Sequence, residues 1–445
     1  MNFKEAKDRL LPFVLPLVFF LLPWQTRWIF SQQLIAGNAF EYGVISLYAV
    51  EVLVFIALLL YGRLKISADY QKVIGFALLF LLYVFVSSLF AINHAVAFGQ
   101  LIHIVFAILL FLLLLDKRTN LRHTALGFVL GLVIPCCLGM WQVVTGGSGA
   151  STILGLAHRD AQTLGDAVLT LSDGVRILRA YGSFSHPNIF GGYLAVGLLS
   201  FLLFPTSLSR EHGPISWSYF LRPLFILILI ISLIITYSQS AWLAVVVAFI
   251  CGLSMWLFVS NSSSNDSKRK IHLSRFFGQW SGSERTLKWL AGFFVVIVML
   301  GSILGVQALS LAGIGQTSIA QRAEQYQQWP QVAVGSWVLG SGLGNYTYAL
   351  EGVYSGRWWW EYQPVHNVLL LVIGEIGIAG LVILISWFFA IDKFNFSRFP
   401  KRSAVVAMSI GCALLIIAGL DHYLWTQWSG LVLTVYVMAM TVRIE

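Results

Sequence analysis

Unbroken apolar runs, each about 18 to 22 residues long, recur along the chain, and they restrict its fold more than any other feature. A helix of that length spans a hydrocarbon core of ~30 Å and satisfies its own backbone polar groups in lipid. A surface helix of a soluble protein carries a polar face, and these segments carry none. Composition points the same way: 58% of residues are hydrophobic and 11% are charged, against roughly 25% charged in soluble domains. The pattern predicts an all-α, polytopic membrane protein with about 12 transmembrane helices. They are expected at 11–30, 43–62, 72–92, 97–115, 124–145, 187–205, 221–237, 239–259, 289–310, 366–391, 403–420 and 424–442.

The first run follows Lys4, Lys7 and Arg9, as a signal peptide's would, but it is followed by Pro23-Trp24-Gln25-Thr26-Arg27 instead of a small-residue cleavage site. It is therefore expected to stay as the first membrane helix. Cys136, Cys137, Cys251 and Cys412 all sit inside apolar runs, without metal-ligand spacing, and are read as packing residues.

The net charge of +9 is of the kind that nucleic-acid partners attract, yet its placement follows the positive-inside rule. With a cytoplasmic N-terminus, no lysine falls in any outer segment. The basic residues there are Arg27, Arg159, Arg176, Arg179, Arg322 and Arg357. Positive charge is thus a topology signal and an attraction to anionic lipid. The expected location is the bacterial inner membrane, with both termini cytoplasmic and no nucleic-acid partner.

Residues 1–445 read as a single integral membrane domain with three notable segments: an outer loop at 146–186, a cytoplasmic linker at 260–288 and a large periplasmic loop at 311–365. Loops this long carry function or are disordered, and the Leu, Trp and Tyr content of the outer two points to order. Ser318-Ile319-Ala320-Gln321 has capping-box spacing and predicts a helix that Pro330 ends, kinks or restarts. Gly340-Ser341-Gly342-Leu343-Gly344 is either a turn that lets backbone approach something closely or an ordinary surface turn.

Outer-face chemistry has to be built from those arginines, from His94, His158, His186, His366 and His422, and from a few acids such as Asp421. Walker, GxGxxG and HExxH patterns are missing, and no cluster has metal-ligand spacing, so no metal or cofactor is expected. Arg176 and Arg179 precede Tyr181, His186 and Asn188 at the outer end of a membrane helix. Arginine there either forks onto phosphate or snorkels to lipid head groups. Arg322 is a surface helix residue or a phosphate clamp. His366, followed by Asn367, opens a helix just after Pro364, where it can accept a hydroxyl proton or cap the helix. Trp358-Trp359-Trp360 fits an interfacial aromatic belt, or a surface that stacks on sugars. His103 and Glu51, within apolar runs, read as a structural pair in preference to a proton path.

The stretch Arg179-Ala180-Tyr181-Gly182-Ser183-Phe184-Ser185-His186-Pro187-Asn188, the Gly340/Gly342/Gly344 turn, and His366-Asn367 with nine residues before Gly377 and then Gly380 resemble the O-antigen ligase/polymerase superfamily. The resemblance covers most of the chain and separates the superfamily's members poorly. It implies a GT-C-like membrane glycosyltransferase that is inverting and independent of metal. The donor would be a glycan on a polyprenyl diphosphate, and the acceptor another glycan or lipid A-core. Carried onto this chain, His366 would orient or deprotonate the acceptor hydroxyl, Arg179 and Arg322 would neutralise the diphosphate, and Asp421 would support the histidine. Arg176, Tyr181, Asn188, Gly342, Gly344, Asn367 and Trp359 would contact substrate.

The alternative is a polysaccharide or lipid transporter or flippase. Such folds usually divide into two similar halves, and these halves do not match. A non-catalytic scaffold would not need arginines and a histidine on one face.

Overall fold

The computed structural model describes residues 3–171, 173–203, 218–261, 317–390 and 401–443, and the protein is mostly helical. Ala68–Ser88, His94–Leu115, Leu121–Thr145 and Val368–Phe389 are long and apolar enough, by length and composition, to cross a membrane. Other expected segments coincide with shorter apolar helices, such as Ala49–Tyr61, Pro187–Leu202 and Trp428–Val442. The segment expected at 289–310 and nearly all of the 260–288 linker lie outside the described residues. Outward faces are as apolar as the core: Leu59, Leu82 and Phe249 are 63%, 61% and 63% exposed. Such faces suit a lipid solvent.

The helix α1 (Phe3–Leu21) packs on α5 (Leu121–Gly131), which α6 (Val133–Thr145) continues after an offset at Leu132. Gly127 and Gly131 make that contact possible. A Cβ on either would lie 2.3 Å from Pro16 O or 2.4 Å from Phe20 O, the close backbone approach that small residues four apart permit. Inside the bundle, α2 (Ala49–Tyr61) and α4 (His94–Leu115) are joined by the expected buried pairing, His103 Nδ1 to Glu51 Oε1 at 2.6 Å.

Two expected helix boundaries are corrected. The helix expected at 11–30 ends at Leu21, and the one expected at 43–62 begins at Ala49. Between them stands an antiparallel hairpin, β1 (Arg27–Ile35) and β2 (Asn38–Tyr48), closed by Ala36-Gly37 with φ of 47° and 74°. Two consecutive left-handed residues match the twist of the flanking strands, and Trp-Ile-Phe and Val-Ile runs favour a pleated surface. An apolar run near the interface does not by itself tell strand from helix. The expected all-α architecture therefore carries this hairpin, and the 146–186 loop adds short strand pairs, 147–148 with 159–160 and 168–170 with 176–178.

The 311–365 loop carries two helices in its described part, from 317 onward. Helix α10 (Thr317–Ala333) continues through Pro330, and α11 (Tyr346–Val353) follows. What the glycine turn approaches is α12 (Val368–Phe389), at a break. Gly377 (φ 69°, ψ 178°) interrupts that helix, and the loop takes over its freed backbone groups. Ser341 and Gly342 N–H donate to Gly374 O and Glu375 O at 2.9 and 2.8 Å; Ile378 N–H donates to Trp337 O at 2.8 Å. Gly340 and Gly342 adopt positive φ to do this. A broken helix is stable at membrane depth only with such substitute partners.

Gly377→Ala should therefore destabilise the protein, because the new Cβ would sit 2.0 Å from Val338 O in a backbone region open essentially to glycine alone. The expected loss is at least about 1–3 kcal/mol, read as a lower Tm in detergent. Gly352→Ala, which meets nothing within 4 Å, is the control and should keep the wild-type Tm.

Candidate functional site

Four helix ends and one strand converge on Asp421. They are the C-termini of α8 (Ser218–Ile235) and α13 (Lys401–Leu420), the N-termini of α7 (Pro187–Leu203) and α12, and β2 of the hairpin. Arg179 donates through Nε to Thr236 O, just past the end of α8, at 2.8 Å. It also donates through a terminal nitrogen to Asn188 Oδ1 at 2.8 Å, and Asn188 Nδ2 donates to Asp421 Oδ2 at 2.8 Å. Arginine only donates and a carboxylate only accepts, so the two neighbours fix which way the Asn188 amide points. Asp421 Oδ1 accepts the His422 N–H at 2.8 Å.

Arg322 comes from α10 and donates to Leu420 O, the last carbonyl of α13, at 3.2 Å. Both arginines thus lie at helix C-termini, where the carbonyl ends favour cations. Asn367 caps α12: its Oδ1 accepts from Leu370 N–H at 3.2 Å and its Nδ2 donates to Gly419 O at 3.1 Å. Two arginines beside two helix N-termini make an electrostatic setting that favours an anion.

His366 is presented next to this charge. Gln325 Oε1 accepts both the His366 backbone N–H at 3.2 Å and its ring Nδ1 at 2.8 Å. The backbone donor identifies that atom as the oxygen, so Nδ1 carries the proton and Nε2 keeps its lone pair. Nε2 has no partner among the described residues. Tyr326 from the same helix donates to His366 O at 3.1 Å. The His366 and His422 rings meet edge to face, with centroids 4.7 Å apart.

Burial and the neighbouring His422 and Arg322 hold His366 well below the usual histidine range, although Asp421 pulls the other way. His422 is lowered chiefly by its own burial. Burial raises Asp421, but the facing histidines and Arg322 outweigh it and hold the carboxyl at about 2. These directions favour, at neutral pH, a carboxylate near two neutral imidazoles that touch each other, with Arg179 and Arg322 close by. Ligand atoms of His366, Asp421 and His422 lie within 4.8 Å of one another, the makings of a metal site. Apart from His366 Nε2, however, the polar atoms of these side chains are already hydrogen-bonded within the protein.

Of the residues expected from sequence, the structure brings His366, Arg179, Arg322, Asp421, Asn188 and Asn367 together. Arg176 braces the 146–186 loop instead, donating to Ala161 O at 2.6 Å and Thr163 O at 3.2 Å. Tyr181 is buried there, accepting from Ala167 N–H at 2.6 Å under the Arg159 guanidinium. Gly342 packs on Ala91 and on the break in α12. Gly344 donates to Glu375 Oε2 at 2.8 Å and borders a cavity of about 30 Å³ shared with Tyr42, Thr347 and Thr426. Trp359 is half-buried in a short turn, while Trp358 and Trp360 stack outside it at 5.0 Å. Sequence reasoning offered His422 only as one of five outer-face histidines, without a role, and did not single out Gln325 or Tyr42. The Asp421-His422 adjacency and the placement of Gln325 one turn beyond Arg322 are the signals that point to the first two.

Fold and site together define a mostly helical membrane protein with a neutral histidine, a buried carboxylate and two arginines at one end of its apolar helices. Residues 224–385, about a third of the chain, match the family model described as O-Antigen ligase. The matched stretch holds Arg322, the glycine turn and most of the His366 helix, and it supports a likeness to the O-antigen ligase/polymerase superfamily. None of the curated proteins compared matches the chain.

At pH 7, histidine ¹⁵N NMR should find His366 neutral with its proton on Nδ1. Both His366 and His422 should titrate below 6.5. Gln325→Leu should free the His366 tautomer; a titration at or above 6.5 would contradict this electrostatic account.

Proposed function

We propose that the chain is a membrane glycosyltransferase of the O-antigen ligase or polymerase type. It moves a glycan from a polyprenyl-diphosphate carrier to an acceptor hydroxyl on the periplasmic face. The observation that carries this reading is the unprotonated His366 Nε2 held beside a carboxylate and two arginines. In this reading about 12 helices cross the inner membrane, both termini are cytoplasmic, and the 146–186 and 311–365 loops are periplasmic.

The acceptor is a glycan or lipid A-core. Its oxygen attacks the anomeric carbon while His366 Nε2 takes the hydroxyl proton, and the bond from that carbon to the phosphate oxygen breaks. Attack from the side opposite the diphosphate inverts the anomeric centre. Arg179 and Arg322 stabilise the charge on the departing diphosphate, a preorganised role that costs no reorganisation because each is already anchored to a helix end. Asp421 stabilises the imidazolium that forms. Tyr181 and Arg176 shape the loop beside Arg179, and the tryptophans at 358–360, Trp359 among them, offer a sugar-stacking surface. Gly342 and Gly344 hold the loop against the His366 helix, and Asn367 caps it.

The test is expression of the chain in cells lacking their own O-antigen ligase or polymerase, with extracted glycans resolved on a gel. Wild type should move glycan onto lipid A-core or lengthen lipid-linked chains, and the product names the subclass. His366→Ala should lower transfer by about 10²–10⁴-fold at equal expression, as expected for loss of a general base. Arg179→Ala should be silent as well. Full activity in both variants would overturn the site, and an inactive wild type across several donors would favour the transport alternative.

A further inference from the structure

The hairpin contributes a residue to the site that lies far from the family-matched stretch. Tyr42, on β2, reaches His422: its hydroxyl is 3.3 Å from Nε2, and the rings meet edge to face at 5.5 Å. On the other side of the imidazole, Nδ1 is 2.9 Å from Thr426 Oγ1, whose hydroxyl donates to His422 O at 3.4 Å. Because the Thr426 proton is engaged with the carbonyl, its oxygen is the acceptor for His422 Nδ1–H. The remaining nitrogen, Nε2, must then accept the proton of Tyr42. Burial pushes the Tyr42 hydroxyl above the ordinary tyrosine range, so it stays protonated and can only serve as the donor.

We infer that Tyr42 is a positioning residue which, by donating to His422 Nε2, adds to burial in holding that imidazole neutral and so reserves the Asp421 charge for His366. The inference rests on the transfer reading given above. An imidazolium at His422 would compete for Asp421 and would stand against His366, whose ring centroid is 4.7 Å away. Either effect would make His366 a poorer base. The groups facing His422 are Asp421 on its own segment, His366 from the start of α12, Arg322 from α10 and Tyr42 from β2. Behind these stand Glu41 next to Tyr42, His186 before α7, and Arg179 joined through Asn188. Among them only Tyr42 supplies a hydrogen-bond donor to Nε2.

Hairpin contacts show how Tyr42 is held. Arg27 pairs with Glu41 at 3.1 Å across the strands, Phe40 packs edge to face on Tyr42 at 5.0 Å, and Ala36 N–H at the tip donates to Glu351 of α11 at 2.7 Å. The hairpin is therefore tied at its tip to the helical loop, and Tyr42 is not a free side chain swinging over the site.

Tyr42→Phe removes the hydroxyl and keeps both ring contacts. Two measurements on the full chain test the role. First, histidine ¹⁵N NMR should show His422 titrating higher and His366 titrating lower in the variant than in wild type. Second, the acid limb of the kcat/KM profile for glycan transfer should move up by roughly one pH unit. Activity would then fall by up to roughly tenfold on the acid side of the limb and stay nearly equal to wild type at pH 8. In a His422→Gln background, Tyr42→Phe should shift the limb no further.

A loss of equal size at every pH, or unchanged histidine titrations, would overturn the inference and leave Tyr42 a packing residue. Should the wild type transfer no glycan, the transfer reading fails. The NMR measurement then still decides whether Tyr42 controls the protonation of His422 and His366.

Discussion

Asp421 is 3% exposed, and a carboxylate that deeply buried is tolerated only if it is paired and hydrogen-bonded. Much of this end of the bundle follows from meeting that need. Asn188 turns its amide nitrogen toward Asp421 because Arg179 occupies the oxygen, and Arg179 is in turn anchored on Thr236. One hydrogen-bonded chain thereby ties the end of α8 and the start of α7 to the end of α13. Arg322 reaches the same helix end from α10 and bonds its last carbonyl. The carboxylate offsets part of the positive charge of the two guanidiniums, and the helix C-termini favour the rest.

The second requirement is mechanical. His366 has to stand at a fixed height at the start of α12, yet that helix is broken at Gly377. The loop carrying Gly340, Gly342 and Gly344 repairs the break by supplying N–H and C=O partners from residues 337–344. Tyr83 adds another, donating to Ile376 O at 2.7 Å. The glycines are thus needed for close approach to a helix, which in turn holds the histidine. Gln325 and Tyr326, one helical turn beyond Arg322, complete the support by gripping His366 at its ring, N–H and carbonyl. One face of α10 therefore sets both a cation and the orientation of the His366 ring.

Apolar runs, and the arginines and histidines singled out beside them, were enough to read the helical membrane class from sequence and to name residues that the structure brings together. They work because lipid imposes length and charge rules on each segment separately, and local rules are visible in a linear string. The hairpin was not visible that way, since an apolar β-branched stretch near an interface satisfies the same composition whether it pairs or coils. Nor were the hydrogen-bonding partners of the site. Asn188 lies 233 residues from Asp421, and Tyr42 lies 380 from His422. Which asparagine orients which carboxylate, which tautomer each histidine holds, and whether an arginine braces a loop, as Arg176 does, or faces the cluster, as Arg179 does, depend on where helix ends meet in space. Only the tertiary structure decided those, because hydrogen-bond geometry over a few ångströms is not encoded in spacing along the chain.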